Sequence, residues 1–138
     1  MPVPSPHEIQ RIIERSYELW NADDKAGWLD HWRSVTPGEH ILEDPIGTPP
    51  KHGWDILAEL WDRTGRDRLY ITTDQIIVCA NEGVAVCRNE GTVKGARVLI
   101  HSVDLYRFGE DGSTSTRSFW RIPDGLPYGE WTAATGAD

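Results

Sequence analysis

The chain has 138 residues, the size of one ordinary domain, and carries 14 Lys+Arg against 22 Asp+Glu for a formal net charge of −8. That balance argues against a nucleic-acid partner, which requires clustered cations; the one local basic group, Arg63, Arg66 and Arg68, is interleaved with Asp62 and Asp67. No apolar run approaches the roughly 18 residues of a membrane span, and Met1-Pro2-Val3-Pro4-Ser5-Pro6 has neither the cationic nor the hydrophobic part of a secretory signal, so a soluble, cytoplasmic protein is expected.

In chain order, Ser5 reads as a helix N-cap, with Pro6 at the first helical position and Glu8 three residues on. Ile9, Ile12, Ile13, Ser16, Leu19 and Trp20 then recur at helical spacing, so a first helix presents a stripe centred on Ile9, Ile13 and Trp20, with Ser16 inside it and Tyr17 on its shoulder. A second helix starts near Asp23 or Asp24, turns Trp28, Leu29 and Trp32 inward and is broken by Thr36-Pro37-Gly38. His40-Ile41-Leu42-Glu43-Asp44 reads as a short strand closed by Pro45, and Ile46-Gly47-Thr48-Pro49-Pro50 as a rigid loop. A third helix covers roughly Trp54 to Thr64, burying Leu57, Leu60 and Trp61, with Gly65 as its C-terminal cap.

Beyond it the period changes. Leu69–Ala80, Gly83–Val93, Arg97–Phe108 and Ser113–Ile122 are rich in Val, Ile, Thr and aromatics and are joined by hairpin sequences, which predicts four strands in an antiparallel meander. A two-residue loop Asn81-Glu82 would set Cys79 opposite Val84 and Cys87 opposite Ile76, so the two cysteines are read as reduced structural thiols. The whole is one α+β domain, a curved antiparallel sheet with helices on one face. Residues 6–122 form the core fold, and 123–138 form a C-terminal extension with a loose end.

Chemistry concentrates on two aspartates. The strand Val98–Phe108 is apolar on both faces, so Asp104 stands among hydrophobic neighbours; desolvation favours its neutral acid, which can donate to a developing oxyanion, whereas Arg88, Arg107 or Arg117 could instead pair with it. Asp44 ends a strand beside a stiff loop, a position suited to a base at a pocket rim. His7, His31, His40, His52 and His101 lack metal-ligand spacing, so no metal and no cofactor are expected.

The string Glu43-Asp44-Pro45-Ile46-Gly47-Thr48-Pro49-Pro50-Lys51-His52-Gly53 resembles the Glu-Asp-Pro-Phe-Gly-x-Pro-Pro-x-His-Gly segment of bacterial Δ5-3-ketosteroid isomerases, in the nuclear transport factor 2-like superfamily. The likeness extends to Glu18-Leu19, Val103-Asp104-Leu105-Tyr106-Arg107-Phe108 and Phe119-Trp120, over roughly residues 8 to 122. It implies a cone-shaped sheet wrapped over three helices, the cystatin-like roll. It also implies Asp44 as general base, Asp104 as neutral oxyanion donor, and a small hydrophobic ketone such as a steroid as ligand. Trp32, Trp61, Tyr106 and Trp120 are expected to contact that ligand, and two copies of the chain to form a homodimer through the outer face of the sheet. The implied reaction moves a double bond into conjugation with a ketone. Alternatives on the same fold are a polyketide cyclase or dehydratase, a limonene-type epoxide hydrolase with an Asp-Arg-Asp arrangement, and a non-catalytic binder of hydrophobic ligands. One departure stands out: the family's oxyanion tyrosine on the first helix aligns with Ser16, leaving Tyr17 one position, about 100°, away. Two supporting tyrosines align with Trp32 and Trp61.

Overall fold

Ser5 opens the first helix by accepting from the Glu8 N–H, while the Glu8 carboxylate accepts from the Ser5 N–H at 2.8 Å, so two otherwise orphaned donors are satisfied reciprocally. A computed structural model of the chain describes residues 3–63, 69–93 and 95–121. Helix α1 spans Pro6–Asn21, and α2, capped by the Asp24 side chain on the Gly27 N–H, spans Lys25–Val35. The strands β1 (His40–Glu43) and β2 (Lys51–His52) follow, then α3 (Trp54–Arg63). The second half supplies β3 (Tyr70–Cys79), β4 (Glu82–Val93), β5 (Ala96–Phe108) and β6 (Thr114–Trp120). Gly65 and the extension 123–138 lie outside the described residues.

The six strands form a single curved, unclosed sheet in the order β2-β1-β6-β5-β4-β3. Two features differ from the expectation. The sheet is mixed rather than wholly antiparallel, because β1 pairs parallel with β6. A parallel partner needs a long connection, and α3 with four strands provides one. The loop after Pro45 also returns as the two-residue strand β2, antiparallel to β1.

The β3–β4 hairpin turns one residue earlier than predicted. Cys79 pairs with Glu82 and Ile76 with Ala85, leaving Ala80 and Asn81 in the loop, with Ala80 at a φ of 52°. Asn81 holds this turn against the end of β5: its side chain donates to the Phe108 carbonyl at 2.9 Å and its carbonyl accepts from the Phe108 N–H at 2.9 Å. The register sends Gly83, Ala85 and Cys87 inward, and Gly83 is where α1 comes closest: a Cβ there would lie 2.6 Å from Ile13 Cδ1. Cys87 faces Thr73 rather than Ile76, and both thiols are free.

The core lies between the helices and the concave face of the sheet. Ile9, Ile13, Leu57, Ile100 and Phe108 are fully buried within it, each contributing roughly 1.5–3 kcal/mol of burial. Trp20, Trp28 and Trp61 pack edge-on or tilted with ring centroids 4.9–5.5 Å apart, closing one side.

Candidate active site

Strand alternation places the polar residues. On β5, Ile100, Ser102, Tyr106 and Phe108 are buried on the concave face, and Asp104 shares it. Across the ladder Asp104 pairs with Ser118 and Tyr106 with Thr116; on the other side of β6, Leu42 pairs with Thr116 and His40 with Thr114. Continuing the same alternation, Asp44 follows Leu42 and His40 into the concave side. All of these but Phe108 and Thr114 line a cavity of about 150 Å³, whose wall also includes Trp20, Trp28, Trp32 and Leu57.

Asp104 is bound by hydroxyls. The Tyr17 hydroxyl donates to its Oδ2 at 2.6 Å, and Ser118 hydrogen-bonds the same carboxyl. Behind Tyr17, the Tyr106 hydroxyl donates to the Tyr17 oxygen at 2.8 Å, and the Tyr106 ring stacks on Trp32 at 5.7 Å with an interplanar angle of 13°. Burial first, then the charge of Asp104, lifts both phenols well above their ordinary pKa, so they serve as donors. Burial also raises the Asp104 carboxyl, while Tyr17 and then Ser118 pull it back.

Asp44 is less well supported. The Trp120 side chain hydrogen-bonds its carboxyl, but Oδ1 is buried with no hydrogen-bond partner among the described residues. Burial, then the Asp104 charge, pushes it up to about 7 against the smaller opposing pulls of Trp120 and Lys51. The segment after it is pinned by Ile46 N–H donating to the Ser118 carbonyl at 2.8 Å and by the Thr48 hydroxyl on the Pro45 carbonyl at 2.7 Å.

Asp44, Asp104, Ser16, Tyr17, Trp32, Tyr106 and Trp120 all line the cavity. Trp61 is not among the lining residues; its ring rests on Trp20 and Trp28, which are. Ser16 turns its hydroxyl to the Ile13 carbonyl at 3.0 Å and also hydrogen-bonds the Tyr106 side chain. Tyr17, expected on the shoulder of the apolar stripe, is buried and reaches Asp104, because it continues the i, i+4 row of Ile9 and Ile13. The arginines considered as partners of Asp104 do not line the cavity. Arg88 pairs with Asp74 at 2.8 Å, and Arg117 lies 3.6 Å from Glu43.

Sequence reasoning missed Asn89, which donates to the Ser102 hydroxyl at 2.7 Å in the cavity wall, and His40. The His40 ring is 2 % exposed, lies against Trp32 and Trp54, and has no hydrogen-bond partner for either nitrogen among the described residues. Its position two and four residues before Leu42 and Asp44, on one face of a strand, was the available signal. Burial holds the imidazole down to about 4, below its ordinary 6.5. Above pH 6.5 it is neutral in both the folded and unfolded chain. As pH falls toward 4 the unfolded chain alone takes up the proton, so this residue withdraws about 3 kcal/mol of stability across that window. Denaturant titrations of His40→Phe from pH 7 to 4 are expected to lack that component, and an unchanged slope would count against it.

No family model matches the sequence. Among solved structures, the chain is similar to the epoxide hydrolase/cyclase-like enzyme SalBIII, described for its role in pyran ring formation in polyether salinomycin. The TM-score is 0.72 at 18 % identity, over 84 % of this chain and 92 % of that one. A computationally designed 17-OHP binder matches with a TM-score of 0.67 at 19 % identity, over 86 % and 92 % of the two chains. RV0760c from Mycobacterium tuberculosis matches with a TM-score of 0.66 at 18 % identity, over 82 % and 94 %. At such identities the likeness is one of fold, and the fold is nuclear transport factor 2-like: three helices laid on a curved, unclosed, mixed sheet.

Proposed function

We propose that the chain is an acid–base enzyme acting on a small hydrophobic ketone such as a steroid, moving a double bond into conjugation by proton abstraction and redelivery through a dienolate. The observation that carries the reading is one cavity holding two desolvated carboxyls, Asp44 and Asp104, with a Tyr17–Tyr106 phenol pair on the second. Two carboxyls lining one apolar enclosure resist ionising together, which leaves one as a base and the other as an acid at neutral pH. The tryptophan walls suit flat polycyclic rings, and a designed 17-OHP binder has this fold. Incubation with a Δ5-3-ketosteroid is expected to raise the ultraviolet absorbance of the conjugated enone; saturable binding of the steroid without any enone would overturn the isomerase reading.

A second reading, a cyclase or dehydratase, is favoured by the Asp44 carboxyl lying near 7, where it can protonate a departing hydroxyl, and by the cyclase-like SalBIII neighbour. The limonene-type epoxide hydrolase is disfavoured, since no arginine lines the cavity among the described residues. The convex face of the sheet is a surface on which a second copy of the chain would pack. Ile77, Val84 and Leu105 form one apolar row there, Val86, Val103 and Phe119 the next, and Ile77 and Phe119 are 52 % and 40 % exposed. Sedimentation equilibrium is expected to return the mass of two chains, and a single-chain mass at all concentrations would remove that proposal.

A further inference from the structure

We propose that His40 and Thr116 form a second polar subsite in the cavity wall that receives a hydroxyl of the ligand, so that the substrate is a hydroxylated ketone. The inference deepens the ketone reading of the cavity and rests on it. Its basis is the pairing of the buried polar side chains. Among the described residues, eight serine, threonine and histidine side chains are buried. Six of them have partners within the fold: Ser16 and Thr48 bond backbone carbonyls, Thr36 and Thr114 bond each other at 2.8 Å, Ser102 accepts from Asn89, and Ser118 bonds the Asp104 carboxyl. His40 and Thr116 are left, with both ring nitrogens and Oγ1 buried and without a partner among the described residues. Both residues line the cavity. The remaining atom of this kind, Asp44 Oδ1, belongs to a carboxyl already given a part in the chemistry. Buried polar groups in native folds are almost always bonded, so open ones in the wall of an enclosed cavity mark where a polar atom of the ligand goes.

The ladder sets these groups apart from Asp104. Across β1, β6 and β5, His40 shares a rung with Thr114 and Phe108, Leu42 with Thr116 and Tyr106, and the next inward rung joins Ser118 to Asp104. His40 therefore stands two inward rungs from Asp104, about 13 Å of strand, with Thr116 on the rung between. The imidazole is restrained by Trp32 and Trp54, whose ring centroids lie 5.2 and 5.9 Å from its own. It is neutral above about pH 4, so one nitrogen donates and the other accepts, and the Thr116 hydroxyl can do either. A ligand hydroxyl answers both residues, donating to one and accepting from the other. A carboxylate or phosphate would meet no cation, because neither lysine nor arginine lines the cavity among the described residues. A ketone or ether oxygen can only accept, and an apolar ring would seal all three open atoms away from any partner, which weakens binding.

Tryptophan-fluorescence titration with a conjugated 3-ketosteroid and with the series of its monohydroxylated derivatives tests this without requiring turnover. At least one derivative is expected to bind about tenfold or more tightly than the unhydroxylated steroid, because only its hydroxyl pairs the open groups. His40→Phe and Thr116→Val are each expected to bring the ratio of the two affinities close to unity; Thr116→Val carries this arm alone should His40→Phe not fold. In nitrogen-15 spectra of the histidine-labelled parent, the preferred derivative is expected to shift the His40 ring nitrogens, and the unhydroxylated steroid to shift them less. The subsite is overturned if no derivative is preferred, if the preference survives Thr116→Val, or if the His40 nitrogens are hydrogen-bonded to water before the preferred derivative binds and stay so afterwards. Enone formation without any hydroxyl preference overturns the subsite and keeps the isomerase reading. Hydroxyl preference without enone does the reverse, and a protein that binds none of the series overturns both.

Discussion

Asp44→Asn combined with Asp104→Asn is expected to bind a phenolic steroid about as well as the parent while losing turnover by a factor between about 10² and 10⁴, the range of general acid–base catalysis. Amides fill the volume of carboxyls, so the tryptophan walls and the Tyr17–Tyr106 pair keep their places, but neither amide exchanges a proton near neutral pH. The two losses do not simply multiply, because the groups act as a unit. Steady-state enone formation set against fluorescence titration of the steroid separates the two effects. Parent-like turnover in the double variant would sink the assignment of chemistry to this pair.

The same variant is expected to be more stable than the parent at pH 8. Burial lifts the Asp44 carboxyl from 3.8 to about 7. Below about pH 4 that carboxyl is neutral in the folded and unfolded chain alike. Between 4 and 7 only the unfolded chain ionises, so stability drains away as pH rises, and above 7 the full cost of about 4 kcal/mol is present. His40 slopes the other way, losing stability as pH falls from 6.5 to about 4. The two components nearly cancel in the parent over that window, and each is unmasked by replacing the other. Retaining so destabilising an acid in a cavity wall is intelligible if the acid works there.

Local physics makes much of this fold legible in the sequence. The capping pair Ser5 and Glu8, the apolar row through Ile9 and Ile13, and the period-2 strands flanked by Gly and Asn turns are each settled within a few residues of chain. The inward direction of Asp104 was left open, because β5 carries apolar residues on both faces; only the sheet's curvature around α1 decides which face is the cavity. Three features depend on tertiary contacts that no window of sequence contains. The β3–β4 turn slips one residue because Asn81 is held by Phe108 from another strand. The parallel pairing of β1 with β6 joins segments some seventy residues apart in the numbering. Tyr17 reaches Asp104 because Gly83 and Ala85 let α1 settle close on the sheet. The tyrosines that the resemblance places at Ser16, Trp32 and Trp61 are thereby matched by a different pair, one phenol from α1 and one from β5 beside Asp104 itself.

Tyr17→Phe is therefore expected to shift the pH dependence of turnover as well as its size. The phenol donates to Asp104 at 2.6 Å in a buried setting, and a hydrogen bond to a charged group there is worth about 1.5–3 kcal/mol, or one to two pH units. Without it Asp104 holds its proton more tightly. The acid is then a weaker donor to a developing oxyanion, so turnover is expected to fall by roughly ten- to a hundredfold. The Asp104 carboxyl then stays neutral to higher pH, so the alkaline limb of the variant's profile is expected to lie about one to two pH units above the parent's. Tyr106→Phe removes only the donor behind Tyr17 and is expected to move the profile in the same direction by less. If Tyr17 instead served as a direct oxyanion donor, its removal would lower turnover equally at every pH, so a parallel downward displacement of the whole profile would refute its role on Asp104.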